Sequence, residues 1–182
     1  MIIDEKKKAL EQTAGLLNVP AAWLDSLIAF ESNWNPLARN KISGARGIIQ
    51  FMHKTAQGLG YNNADDLILK NPTAAKQLTG PVYQYLKQYK PFPTKQSLYM
   101  AVFYPVARTW TPSTVFPDTV RNANPNITTV QDYIDFVEKK ALKKKTETGA
   151  TAALIMIAAA FVMYKTLTKS KGKKWTREES AT

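Results

Sequence analysis

Apolar residues recur at helical spacing along most of the chain. Between residues 5 and 17 they fall at Leu10, Ala14 and Leu17 among lysines and glutamates, which predicts a short amphipathic helix ending at Gly15 or Asn18. Pro20 suits a first helical position, and Leu24, Leu27, Ile28 and Glu31 follow on one face. That helix should stop near Asn35-Pro36, because a proline pushes the residue before it out of the α region. Residues 37–46 form a polar loop in which Gly44 and Gly47 supply backbone freedom. A second helix is predicted over residues 47–58, packing through Ile48, Phe51, Met52 and Ala56 and leaving Gln50 to point elsewhere. A short helix is predicted over residues 64–69. Asn71-Pro72 reads as a cap and first-turn proline for a helix through Ala75, Leu78, Val82 and Leu86, with a kink at Gly80-Pro81. A further helix starts near Thr94, while residues 109–126 show no period and predict a loop. Thr128 or Thr129 caps a last helix with Val130, Tyr133, Ile134 and Val137 on one face. No useful run of period-two alternation occurs, so the fold class is all-α, without internal repeats.

Composition changes this picture in one respect. The 182 residues carry a formal charge of +11, which invites a nucleic-acid partner until the charge is located. Residues 1–138 hold 14 basic against 11 acidic residues, whereas residues 139–182 hold 11 basic against 3 acidic. The basicity belongs to the tail, and no nucleic-acid partner is expected. Inside that tail, residues 149–164 are uncharged, and Lys165 can snorkel to extend the run toward Leu167. About 20 apolar residues cross about 30 Å of hydrocarbon, and residues 150–162 show no polar face of the kind an interfacial helix needs. The expected layout is a catalytic-sized domain over residues 1–138, a basic juxtamembrane linker over 139–148, a transmembrane helix over 149–168 and a basic polar tail over 169–182. The N-terminus has no apolar h-region and does not read as a secretory signal. The chain has no cysteine, which excludes disulfides, a thiol nucleophile and cysteine-type zinc sites.

Glu31 is the first candidate for chemistry. A carboxylic acid set against Leu27 and Ile28 is partly desolvated, which disfavours its ionised form and suits a general acid. An isolated glutamate on a helix has no such meaning by itself.

Its neighbours supply the meaning. Glu31, Ser32, Trp34, Asn35, Pro36, Gly44, Ala45, Gly47, Gln50, Met52, Thr55 and Ala56 stand in order within 26 residues. This stretch resembles the lysozyme-like domain of lytic transglycosylases, the soluble type related to goose-type lysozyme. The family pattern is a helix ending in Glu-Ser, an aromatic-Asn-Pro, a Gly-Ala-x-Gly turn, a Gln-x-Met-Pro helix and Thr-Ala. Weaker resemblance covers most of residues 15–137. In a third block Tyr104 matches the family tyrosine that bonds near the acid, while Pro105 replaces the usual asparagine. The sequences VFYP and NPNITTVQDYI look like a phage-associated branch. His53 stands where the family has proline and reads as a helix-surface residue. The loop is one residue longer than usual, so a substrate-contacting serine of the family falls on either Asn40 or Lys41.

The resemblance implies Glu31 as the catalytic residue and Ser32, Gln50, Met52 and Tyr104 as substrate contacts, with no metal and no cofactor. The implied reaction cuts the glycosidic bond after N-acetylmuramic acid in peptidoglycan and closes a 1,6-anhydro ring with the sugar's own 6-hydroxyl. Ordinary glycosidases flank the bond with two carboxylates, whereas the nearest upstream acid here, Asp25, lies off the Glu31 face. Two alternatives stay open: a goose-type hydrolase in which Asp65, Asp66 or Asp118 holds a water, and a non-catalytic wall-binding or structural virion protein of the same fold. A catalytic domain ahead of a single span suits the membrane of a membrane-containing phage, with other virion membrane or capsid proteins as partners. The other placement is the bacterial cell envelope.

Overall fold

The computed structural model describes residues 2–146, with side chains over residues 5–139. The expected transmembrane helix at 149–168 and the tail beyond it lie outside the described residues. Among those described, no single helix is long and apolar enough to cross a membrane.

Nine α-helices make up the described chain: α1 (Ile2–Leu17), α2 (Ala21–Ser32), α3 (His53–Gly58), α4 (Ala64–Lys70), α5 (Ala74–Gln77), α6 (Tyr83–Leu86), α7 (Lys95–Phe103), α8 (Asp118–Ala123) and α9 (Val130–Thr146). Among these residues there are no strands, only three isolated β-bridges, as the all-α reading requires.

The centre is α2. Its last six residues, Leu27 to Ser32, are all buried, so this half of the helix is enclosed on every side rather than amphipathic. Helix α1 bends back on it at 116°. The bend follows from Asn18, which takes a left-handed conformation (φ 58°) while the Asn18 and Val19 amides bond back to Gly15 and Ala14. Helix α9 lies along another side of α2, and α7 contacts both. Leu24, Leu27, Ile28, Leu98, Tyr99, Phe116 and Tyr133 fill the space between them, each with at most 1% of its surface exposed.

Four local expectations are corrected. Helix α2 stops at Ser32, before Asn35-Pro36, because Asn33 and Trp34 adopt successive left-handed conformations (φ 52° and 62°). The helix expected over 47–58 begins only at His53. Gly47 (φ 78°) and Gln50 (φ 56°) are incompatible with a helix, and the Arg46 and Phe51 backbones bond to each other in both directions. Asn71 ends α4, and the cap of α5 is Thr73, whose side chain accepts from the Lys76 amide at 3.2 Å. Residues 109–126 contain α8 besides loop. The kink at Gly80-Pro81 is present as one wide turn, Leu78–Val82, between α5 and α6. Helix α9 carries on without a break past residue 138 to Thr146, through the first basic cluster.

Candidate active site

Glu31 is buried, with 8% of its surface exposed, one residue before the end of α2. Burial at this point is dictated by the helix: Leu27 and Ile28 precede Glu31 by one turn, and all three face inward. The structure brings a tyrosine to this carboxyl, and it is Tyr133 of α9. The Tyr133 hydroxyl is completely buried, and burial together with the Glu31 carboxylate pushes its pKa well above the usual tyrosine value. It has no partner in strict hydrogen-bond geometry, yet it faces Glu31 closely enough to respond to its charge. Catalytic contacts in unliganded enzymes are often long and tighten when substrate binds.

Packing fixes the Tyr133 ring. It stacks on Phe103 at 4.1 Å between centroids and meets the edge of Phe30 at 6.1 Å. Tyr99 ties α7 to α9 by donating its hydroxyl proton to Glu138, whose other oxygen pairs with Lys95 at 3.4 Å. Nothing in the sequence marked Tyr133 beyond its place on the buried face of the last helix. Tyr104, the tyrosine expected beside the acid, packs against Trp110 and Phe116, and burial raises its pKa.

The Ser32 hydroxyl points inward, donating to the Ile48 carbonyl at 3.0 Å and lying 3.3 Å from the Ile28 carbonyl, so it holds the following loop against α2. The loop itself is compact. The Asn40 amide bonds to the Ala45 carbonyl, and the Gly47 amide to that of Ala38. The Asn40 side-chain oxygen accepts from the Ile42 and Ser43 amides, both at 2.9 Å. Asn40 is thus buried as the builder of the loop tip, and Lys41 is the exposed member of that pair.

Gln50 sits in the turn after Gly47, with its amide donating to the Gly47 carbonyl at 2.8 Å, and Met52 is half-buried at the start of α3. His53 is also half-buried, not a free surface residue: its Nδ1 accepts from the Ala64 amide at 3.2 Å. On its other side the ring crowds Gly44, where a Cβ would lie 3.2 Å from Nε2.

The four other acids weighed for chemistry are engaged elsewhere. Asp25 accepts from the Trp34 indole at 2.8 Å. Asp65 pairs with Arg46 at 3.0 Å, Asp66 with Lys70 at 2.9 Å, and Asp118 with Arg121. The arrangement therefore offers one buried carboxyl, one tyrosine hydroxyl facing it, and a glycine-bearing loop pinned to the same helix end.

No curated protein and no solved structure matches the chain. Comparison with family-level sequence patterns matches residues 9–101 to the Transglycosylase SLT domain. That stretch contains α2, the loop and the helices up to α7, while Tyr104 and Tyr133 lie beyond it. With Glu31, its loop and just over half of the chain inside the match, the chain belongs to the transglycosylase SLT family, the lytic transglycosylases that act on peptidoglycan.

Proposed function

We propose that this chain cleaves the bond between N-acetylmuramic acid and N-acetylglucosamine in peptidoglycan strands without water. Glu31, the one buried carboxyl among the described residues, faces Tyr133 at the end of the central helix and carries this reading. Protonated Glu31 gives its proton to the glycosidic oxygen as the bond from the muramic-acid C1 breaks. The resulting carboxylate takes the proton of that sugar's 6-hydroxyl, whose oxygen bonds to C1 and closes the anhydro ring. The proton given is recovered, so one acid suffices, where a hydrolase of the two-carboxylate kind needs a second group to activate water. Tyr133 steadies the carboxylate between the two transfers. Gln50, Met52 and Tyr104 meet the glycan, and Ser32 keeps the loop in register. The engagement of Asp65, Asp66 and Asp118 in ion pairs favours this over the hydrolytic alternative.

The test is digestion of purified peptidoglycan by the full-length chain, with products read by mass spectrometry. Anhydro-muropeptides are expected, and Glu31→Gln should abolish them while leaving the circular-dichroism spectrum intact. Reducing-end products would establish hydrolysis instead, and full activity of Glu31→Gln would remove the acid from this role.

We further propose that residues 149–168 anchor the enzyme in a lipid membrane. The support is the uncharged run itself and its basic flanks, which suit anionic headgroups. The phage-like motifs support placement in a virion membrane, beside other virion membrane or capsid proteins, where wall cleavage would open the way for genome delivery. The chain should then co-purify with phage particles and float with their lipids in a density gradient. Its absence from particles would return it to the bacterial envelope.

A further inference from the structure

Gln77 is the last residue of α5, far in sequence from the acid, and its side chain is completely buried. A buried amide costs free energy unless its donors and acceptor are all matched. Here each has a partner in backbone around the site. The side-chain nitrogen donates to the Pro36 carbonyl at 2.8 Å and the Asn71 carbonyl at 2.9 Å, and the oxygen accepts from the Ile48 amide at 2.9 Å. The pattern admits one orientation only, since a flipped amide would face N–H against N–H and oxygen against two carbonyls.

Ile48 is where this clamp meets the acid. Its amide is held by Gln77 and its carbonyl by Ser32, the residue after Glu31. On one side of Ile48 lies Gly47, where a Cβ would stand 2.6 Å from the Gln77 side-chain oxygen. On the other side, two residues on, the Gln50 amide returns to the Gly47 carbonyl. Gly47 and Gln77 are therefore a fitted pair, the glycine leaving the space that the amide fills. Pro36 and Ile48 stand at the two ends of the loop segment, so one side chain fixes both ends relative to α2.

We propose that Gln77 is a positioning residue for catalysis: it sets the loop of residues 36–50 at the distance from Glu31 at which a glycan strand is gripped. This rests on the reading of Glu31 as the acid and of Gln50 as a substrate contact. Tyr133 and Glu31 belong to α9 and α2 and do not depend on the clamp. Loosening it should weaken substrate handling without moving the acid's titration.

The experiment uses the full-length chain and Gln77→Asn, which keeps the amide but shortens its reach by one methylene. At temperatures well below its unfolding transition, the variant should lose at least tenfold in kcat/KM per folded molecule, with KM raised. The pH at which activity falls should stay where it is in the unsubstituted chain, and Gly47→Ala with Gln77→Asn should lose less than the product of the two single losses. In the unsubstituted chain the Ile48 amide should exchange with deuterium as slowly as the core of α2, a measurement that needs no variant to fold. Values of kcat/KM within twofold, a displaced pH limb or a fast-exchanging Ile48 amide would each overturn the proposal. If the unsubstituted chain cleaves nothing, the acid's role falls but the clamp is still read: the Kd for solubilised peptidoglycan strands should rise at least tenfold in Gln77→Asn. Equal affinity in Gln77→Asn would overturn it.

Discussion

Replacing Tyr133 by Phe separates a structural role from a catalytic one. The ring, and with it the stack on Phe103 and the edge contact with Phe30, is retained, so no apolar burial is lost. What goes is a completely buried hydroxyl with no partner in strict hydrogen-bond geometry, a group whose burial costs about 1–3 kcal/mol. Against that relief stands its attraction to the Glu31 carboxylate, of the order of one hydrogen bond to a charged group, about 1.5–3 kcal/mol. The two nearly cancel, so Tyr133→Phe should change stability by less than about 1 kcal/mol, a Tm shift of at most ~4 °C. Activity should behave otherwise. A hydroxyl aimed at Glu31 favours its ionised form, which is the same coupling that raises the pKa of Tyr133. Its removal favours the protonated acid, so the limb on which activity falls with rising pH should move upward. The carboxylate that must recover the proton loses its steadying partner, and kcat should fall about tenfold, equivalent to ~1.4 kcal/mol. Urea denaturation beside muropeptide release across pH measures both. An unmoved limb with unchanged kcat, or a stability loss above about 3 kcal/mol, would refute the role given to Tyr133.

Gly47→Ala places a Cβ 2.6 Å from the Gln77 oxygen and 2.7 Å from Ile68 at a φ of 78°. Strain of about 1 kcal/mol and overpacking of about 1–3 kcal/mol should together cost about 2–4 kcal/mol by urea denaturation. Asp132 accepts from the Thr128 and Thr129 amides at the start of α9, and those bonds lower its pKa below 3.8. A lowered pKa adds stability that is present above the unfolded value and lost as pH falls through the folded one. Asp132→Asn should therefore cost no more than about 0.5–1 kcal/mol at neutral pH, a gap that closes as pH falls through the lowered folded value. Burial holds the pKa values of Tyr85 and Tyr133 well above 10.0, so in alkali the unfolded chain releases protons that the folded chain keeps. Stability should then fall above about pH 10 by up to ~2.7 kcal/mol per pH unit for the pair, followed by tyrosinate absorbance and circular dichroism together.

The elements that could be read from the sequence are those whose local chemistry and packing agree. Thr94 caps α7 with a reciprocal bond to Ser97, Thr129 bonds to Asp132 at the head of α9, and α9 buries the face its spacing assigns. Glu31 was legible for the same reason, since the period that buries Leu27 and Ile28 buries it too. The start of α3 was not. Ile48, Phe51 and Ala56 have helical spacing, but residues 47–51 are held by the Arg46–Phe51 backbone pair and by Gln77, a partner 29 residues away from Ile48. A polar residue at the end of a four-residue helix carries no local sign that its amide serves a distant loop. The inward turn of Ser32 and the approach of Tyr133 to Glu31 depend likewise on tertiary packing, which periodicity does not encode.

On the proposed mechanism one carboxyl makes two proton transfers, and the position of Glu31 on α2 bears on that demand. It lies one residue from the C-terminal end of the helix, where the backbone dipole is negative and disfavours a second negative charge by about 0.3–1 kcal/mol. Burial acts in the same direction and more strongly, whereas the Tyr133 hydroxyl acts in the opposite one. The proposed mechanism asks the acid to give a proton and then take one back, and opposed influences of this kind serve the two steps in turn. The enclosure of the last six residues of α2 sets up the burial: an amphipathic helix end at the surface would hydrate the carboxyl and leave it an ordinary anion. On the proposed reading, the burial of six successive residues is what a one-carboxylate reaction requires of α2, and the pinned loop would bring the glycan to a group that cannot itself reach out.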